Sequence, residues 1–206
     1  MKVLLINGSP KEKGCAYTAL SEIAHTLEEN GVAAEIFHVG SKAIIGCVGC
    51  GGCKKTGKCV YDDTVNIAAQ KLDEADAVIV GSPVHYAGAS GAVTSFLDRL
   101  FMSAGSKMKF KPAAFIASCR RGGSTATLDQ LSKYFSFNQM PIVSGSYWNM
   151  VHGTNPEEVR QDLEGMQNMR NIGKNMAWLL KCIQAGKENG IDTPIQEAPV
   201  KTSFIR

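Results

Sequence analysis

Four cysteines, Cys47, Cys50, Cys53 and Cys59, stand with two, two and five residues between neighbours, and Gly46, Gly49, Gly51, Gly52 and Gly57 lie among them. Thiolates are soft donors, and a chain this rich in glycine can wrap a compact soft-metal centre. The first three cysteines, two residues apart each time, match the start of a ferredoxin-like run that holds an iron–sulfur cluster. Zinc is a second candidate, although it is better served by two separated pairs of cysteines. A third reading is a glycine-rich loop at a subunit interface whose thiols are reduced and hold nothing. Spacing alone leaves these three open.

A second group of residues has the chemistry of phosphate binding. Val3 to Ile6 is a short apolar run, Asn7-Gly8-Ser9-Pro10 breaks it, and from Ala19 the apolar residues Leu20, Ile23, Ala24 and Leu27 recur at helical spacing. A helix starting there turns unpaired N–H groups and a positive dipole end toward the loop. Ser9, Thr18, Lys11 and Lys13 add hydroxyls and positive charge. The loop carries neither the Gly-Lys-Ser/Thr of a triphosphate loop nor the G-x-G-x-x-G of a dinucleotide site. A mononucleotide monophosphate suits it better than a triphosphate with magnesium; the other reading is an ordinary strand-to-helix turn that holds nothing. Gly81-Ser82-Pro83-Val84-His85-Tyr86-Ala87-Gly88 could lay a flat ring system against Pro83, His85 and Tyr86. A third loop offers Ser118, Arg120, Gly122 and Gly123, and an arginine near the N1/O2 edge of a flavin would stabilise its reduced, negative form.

These residues need a scaffold, and the chain supplies a regular one. At 206 residues it is long enough for one well-buried domain. A net charge of +3 with no basic tract argues against nucleic acid. No apolar run approaches membrane-spanning length, and the opening residues do not read as a signal peptide. A cytoplasmic protein is expected, its seven cysteines being thiols, ligands or redox groups rather than disulfides.

Strands are expected at Val3–Ile6, Ala33–Val39, Ala77–Val80, Ala113–Ala117 and Met140–Ser144. Helices follow them: one from Ala19, one over Thr64–Glu74, one capped by Ser90 that buries Val93, Phe96, Leu97 and Leu100, one over Ser124–Phe137, and a long last helix from Pro156 to about Ala185. Strands alternating with helices imply a doubly wound α/β fold with a parallel five-stranded sheet, and ligands at the carboxyl ends of its strands. The expected organisation is a single domain over 1–186 with a Cys-rich insertion at 41–63 and an extended arm at 187–206.

Gly8-Ser9-Pro10-Lys11, Gly81-Ser82-Pro83-Val84-His85-Tyr86, the Gly122-Gly123 loop and Asn149-Met150-Val151-His152-Gly153 together resemble the NADPH-dependent FMN reductase family of flavodoxin-like proteins. The cysteine spacing is similar to that of its iron–sulfur flavoprotein branch. The resemblance implies a flavodoxin-like three-layer fold with strand order 2-1-3-4-5. It implies an FMN phosphate bound by Ser9, Lys11, Cys15, Ala16 and Thr18, the isoalloxazine on Pro83, Val84, His85, Tyr86, Ala87 and Gly88, and Ser118, Arg120, Gly122 and Gly123 bordering it. Lys11 replaces the family's usual Arg, and Gly14-Cys15-Ala16 replaces its Gly-Asn-Thr. Tyr17 and Thr18 are placed to compensate. Carried over to the insertion, Cys47, Cys50, Cys53 and Cys59 would ligate one [4Fe–4S] cluster.

The activity expected is an FMN-dependent oxidoreductase that takes hydride from NAD(P)H and reduces a quinone, flavin or other acceptor. The alternative is an electron carrier linking ferredoxin to FMN through the cluster. Because the flavin carries the chemistry, no acid–base residue need be essential; His85 is the one candidate for a proton relay. Cys15, at a helix N-terminus, is expected to have a lowered thiol pKa. A flavin on a small domain needs cover, so a homodimer or homotetramer is expected.

Overall fold

The computed structural model describes residues 1–204; the last two residues of the expected arm, 205–206, lie outside them. Five strands form the parallel sheet: β1 (Lys2–Asn7), β2 (Ala33–His38), β3 (Ala77–His85), β5 (Ala113–Cys119) and β6 (Met150–His152). Their order is β2-β1-β3-β5-β6, and a two-residue strand β4 (Gly88–Ala89) folds back antiparallel on the end of β3. The helices are α1 (Cys15–Glu29), α2 (Cys53–Thr56), α3 (Thr64–Lys71), α4 (Gly91–Ala104), α5 (Ser124–Phe137), α6 (Pro156–Gln161) and α7 (Leu163–Glu188). No helix among the described residues is long and apolar enough to cross a membrane.

Alternation along the central strands builds two cores. Leu4, Ile6, Val78 and Val80 face one way, onto Val65, Phe96, Leu97, Leu131 and Phe135 of α3, α4 and α5. Val3, Leu5, Ala77 and Ile79 face the other way, onto Leu20, Ile23, Met169, Ile172 and Met176 of α1 and α7. Strands buried on both faces are why these runs read as continuously apolar. The result is a helix–sheet–helix sandwich with the parallel strand order expected from the resemblance.

Several expected element limits are corrected; α3, for one, ends at Lys71 rather than Glu74. Helix α1 begins at Cys15, not Ala19, so residues 15–18 form its first turn rather than loop. Strand β3 does not stop at Val80 but runs through Pro83 to His85. Pairing with β1 ends at Asn7 opposite Gly81, so Pro83 removes no bond on that side. The last helix is two, α6 and α7. Asp162 breaks it, its carboxylate accepting from Gly165 N (2.9 Å) and from His152 N (2.7 Å).

The fifth strand is not Met140–Ser144. That segment makes a single bridge, between Ile142 and Ala113, and the strand proper is Met150–His152, paired with Ala117–Cys119. Between them the chain swings out, and side chains replace the ladder. Asn149 Oδ1 accepts from Gly145 N (3.2 Å), and Asn168 Oδ1, from α7, accepts from Ser146 N (2.7 Å) and Tyr147 N (3.2 Å).

Candidate functional site: a cleft at the strand ends and a cysteine cavity

The loops after β1, β3, β5 and β6 meet at the carboxyl edge of the sheet around a cavity of about 320 Å³. Its floor and walls include Ser9, Lys11, Lys13, Gly14, Cys15 and Ala16 from the first loop and α1. Pro83, Val84 and His85 come from β3, and Ser118, Cys119 and Arg120 from the end of β5. The size is at the lower end of the roughly 300–1,000 Å³ usual for small-molecule sites.

The first loop is held by its own bonds. Ser9 N donates to Asn7 Oδ1 (3.1 Å), Ser9 Oγ accepts from Lys11 N (3.1 Å), and Asn7 Nδ2 donates to Glu12 O (2.8 Å). A ring nitrogen of His38 sits 2.8 Å from Ser9 O. Gly8 packs so tightly that an added Cβ would lie 2.4 Å from Val93 Cγ2 and 2.9 Å from Gly81 O. Helix α1 then opens into the cavity with glycine at its N-cap and no side-chain cap. Helices α3, α4, α6 and α7 are capped instead by Asp63, Ser90, Asn155 and Asp162. The leading amides of α1 are therefore left without side-chain acceptors beside two lysines, an arrangement suited to an anion.

Cys15 does not behave as its helix-terminal position suggests. Burial pushes its thiol pKa up, outweighing a local backbone bond and Lys11. Burial raises the Cys119 thiol likewise; its Sγ lies 3.5 Å from His152 Nδ1.

Nine of the sixteen residues expected at the cofactor line this cavity: Ser9, Lys11, Cys15, Ala16, Pro83, Val84, His85, Ser118 and Arg120. The others lie elsewhere. Thr18 is buried with its hydroxyl bonded to Gly14 O (3.2 Å), and Tyr17 is in the first turn of α1. Tyr86 and Ala87 form the tip of the β3–β4 hairpin, both with positive φ, and Tyr86 projects fully into solvent. Gly88 starts β4. Gly122 and Gly123 form the turn into α5, where Gly123 has φ +93° and a Cβ would meet Ala87 Cα at 2.7 Å. Sequence reasoning missed Gly153, Thr154, Asn155 and Pro156, which close the cavity from the β6 side. Once β6 is placed at Met150–His152, this Gly-Thr-Asn-Pro stretch is a strand-end loop like the other three.

The four insertion cysteines line a second cavity, of about 150 Å³, with Val60, Tyr61, Arg99 and Met102. That is some ten times the roughly 10–15 Å³ one water needs. All four are free thiols. Gly49 (φ +66°) and Gly51 (φ +68°) let the chain turn on either side of Cys50. Cys59 is clamped by Asn66, which accepts from Cys59 N and donates to Cys59 O, both at 3.0 Å. Among the described residues, no three His, Cys, Asp or Glu side chains converge as they would on a single metal ion. Such an ion would draw thiolates to about 3.8 Å from one another, given metal–sulfur bonds of about 2.3 Å. Four cysteine thiols lining one cavity are the donor set that an iron–sulfur cluster takes.

Sequence reasoning also missed Arg99, which organises this cavity from α4. It is 1% exposed, and its guanidinium donates to both carboxylate oxygens of Asp63 (2.7 and 2.9 Å) and to Tyr61 O (2.9 Å). Burial opposes its charge, but Asp63 and Cys59 outweigh burial and hold its pKa above the ordinary arginine value.

Residues 1–155 match the family model for NADPH-dependent FMN reductase. The chain belongs to that family. Members are FMN flavoproteins of the oxidoreductase class, and the loops around the 320 Å³ cavity fall within or beside the matched span. An iron–sulfur flavoprotein of Methanocaldococcus jannaschii is 31% identical over 192 residues, 89% of this chain and all of its own. Among solved structures, RosB with bound 8-demethyl-8-formylriboflavin-5'-phosphate superposes with a TM-score of 0.68 at 15% identity, over all of this chain and 94% of its own. An archaeal flavodoxin superposes at 0.61 and 15% identity, over 88% of this chain and 99% of its own. At such identities these two show the fold alone, and that fold is flavodoxin-like.

Proposed function

We propose that this FMN reductase family member is an electron-transfer oxidoreductase of the iron–sulfur flavoprotein kind. FMN would sit in the cavity at the strand ends, and a [4Fe–4S] cluster on Cys47, Cys50, Cys53 and Cys59. The observation that carries the reading is that one helix ties both cavities together. Ser90, the N-cap of α4, donates to Gly8 O (3.0 Å) at the first loop, and Arg99 of the same helix lines the cysteine cavity. They stand nine positions apart, about 14 Å of helix. The relative from Methanocaldococcus jannaschii, named for both cofactors, aligns with 89% of the chain.

When bound, FMN supplies hydride and single-electron chemistry and a cluster supplies single-electron steps. The protein's own part is placement. The leading amides of α1 with Lys11 and Lys13 receive a phosphate. Pro83, Val84 and His85 offer one wall to a flat ring, with Ser118 and Arg120 along another edge. His85 is exposed beside the open side, where a nicotinamide or a quinone, flavin or similar acceptor would approach. Cys47, Cys50, Cys53 and Cys59 would hold the cluster, which would supply the single-electron chemistry that a ferredoxin-type donor requires. A second reading, hydride entry from NAD(P)H directly at the flavin, is favoured by the open face at His85. We infer also that two or four copies associate, covering exposed aromatics such as Tyr86, Tyr147 and Trp148; light scattering checks this.

The test is flavin bleaching in anaerobically purified protein, with reduced ferredoxin or with NADPH as donor, in the native chain and in Cys50→Ser. Ferredoxin-driven bleaching that is lost in Cys50→Ser supports entry through the cluster. Bleaching by NADPH alone, unaffected by Cys50→Ser, supports the second reading. A protein that is bleached by neither donor contradicts both.

A further inference from the structure

Arg99 spends its charge in an unexpected place. Its helix buries Phe96, Leu97 and Leu100 beside it, and a leucine or methionine would fill the position without desolvating a cation. Its terminal nitrogens are taken by Asp63, Tyr61 O and, at 3.4 Å, Ile45 O. The remaining donor, Nε, points at a sulfur: Cys59 Sγ, 3.2 Å away. The guanidinium also lies 5.1 Å from the centre of the Tyr61 ring. Asp63 is held in turn, accepting from Val65 N at 3.0 Å as the N-cap of α3.

We propose that Arg99 is a positioning residue that raises the reduction potential of an iron–sulfur cluster bound by Cys59 and its three companions, through the Nε–H···Sγ bond, with Asp63 as the opposing charge. The proposal rests on the cluster reading above. Adding one electron makes the cluster and its thiolates more negative. A hydrogen-bond donor and a positive charge on one ligand sulfur favour that state, and hydrogen bonds to sulfur are an established control of cluster potential. The Asp63 carboxylate offsets part of the positive charge. Removing Arg99 and removing the charge of Asp63 must therefore act in opposite directions.

The experiment is a redox titration of the anaerobically purified full chain carrying cluster and FMN, with dithionite as reductant. The cluster is followed by the EPR signal of its reduced form and the flavin by absorbance. Arg99→Gln is expected to shift the cluster midpoint to more negative potential. Asp63→Asn, which retains an N-cap for α3, is expected to shift it to more positive potential. In both, the flavin midpoint moves less than the cluster's. Shifts of the same sign, or none, overturn the proposal, because a merely structural role lowers iron content without this sign reversal. If Arg99→Gln fails to fold, Asp63→Asn decides alone, and an unchanged or more negative midpoint overturns the proposal. A native chain that holds FMN but no iron or sulfide overturns the cluster reading and this proposal with it.

Discussion

Putting a charge at the head of α1 tests the anion site. Gly14 is the N-cap, with φ −91° and ψ −163°, the extended backbone a capping Asp or Asn adopts. It lines the cavity and carries no side-chain cap. Gly14→Asn and Gly14→Asp introduce side chains of the same shape. Both meet Lys11 Cβ at 3.0 Å, so that cost is shared. Both supply a cap worth a few tenths of a kcal/mol over glycine. They differ in charge. A carboxylate about 5 Å from a phosphate costs about 3 kcal/mol per phosphate charge at an effective dielectric of about 20. That is on the order of 100-fold in Kd. The assay is FMN titration of flavin-free protein by fluorescence quenching, at low salt and at about 0.5 M salt, where the Debye length falls below roughly 5 Å. Gly14→Asp should bind FMN on the order of 100-fold more weakly than Gly14→Asn, with the gap narrowing at high salt. Affinities within about threefold at low salt would place the phosphate elsewhere.

Three further predictions concern the scaffold and its thiols. Asn168→Ala removes the acceptor of Ser146 N and Tyr147 N and the donor to Trp148 O, and should cost about 1–3 kcal/mol in denaturant unfolding, with faster amide exchange at residues 145–148. Hydrogen bonds from Lys2 and Lys71 hold the Glu35 carboxyl below its ordinary pKa. Its contribution is therefore present above the unfolded carboxylate range and is lost as pH falls through the lower folded value, so Glu35→Gln should flatten the acid side of the stability profile below about pH 4.5. Cys15, its pKa raised by burial, should alkylate more slowly than a free thiol at neutral pH; faster modification would show that the helix terminus governs it.

The residues explain which parts of this molecule could be read from sequence. Val3–Ile6 and Ala77–Val80 are buried on both faces, so their apolar runs announce central parallel strands and fix the fold. Ser90 shows as a cap because its hydroxyl acts locally, on Val93 N (3.4 Å). The fifth strand was hidden because its pairing is broken at Gly145 and repaired by Asn168, more than twenty residues along the chain; local pattern carries no trace of such a bond. That error displaced the loop that follows, so Gly153–Pro156 were not seen as part of the site. Arg99 was hidden for a different reason. A lone arginine beside Phe96 and Leu100 reads as the solvent edge of a helix, and only the folded chain brings Asp63 and Cys59 to it. Four cysteines at short spacing, by contrast, show as a group in the sequence, and the structure gathers them on one cavity without choosing among their three readings.

The measurement closest to the central claim is the composition of the protein purified without oxygen: FMN by extraction, iron and acid-labile sulfide by colorimetry, and the absorption spectrum of the intact chain. The account predicts one FMN and about four iron and four sulfide per chain, as a single cubane requires, with broad absorbance near 400 nm under the flavin bands. A colourless protein that takes up no FMN on reconstitution would contradict it.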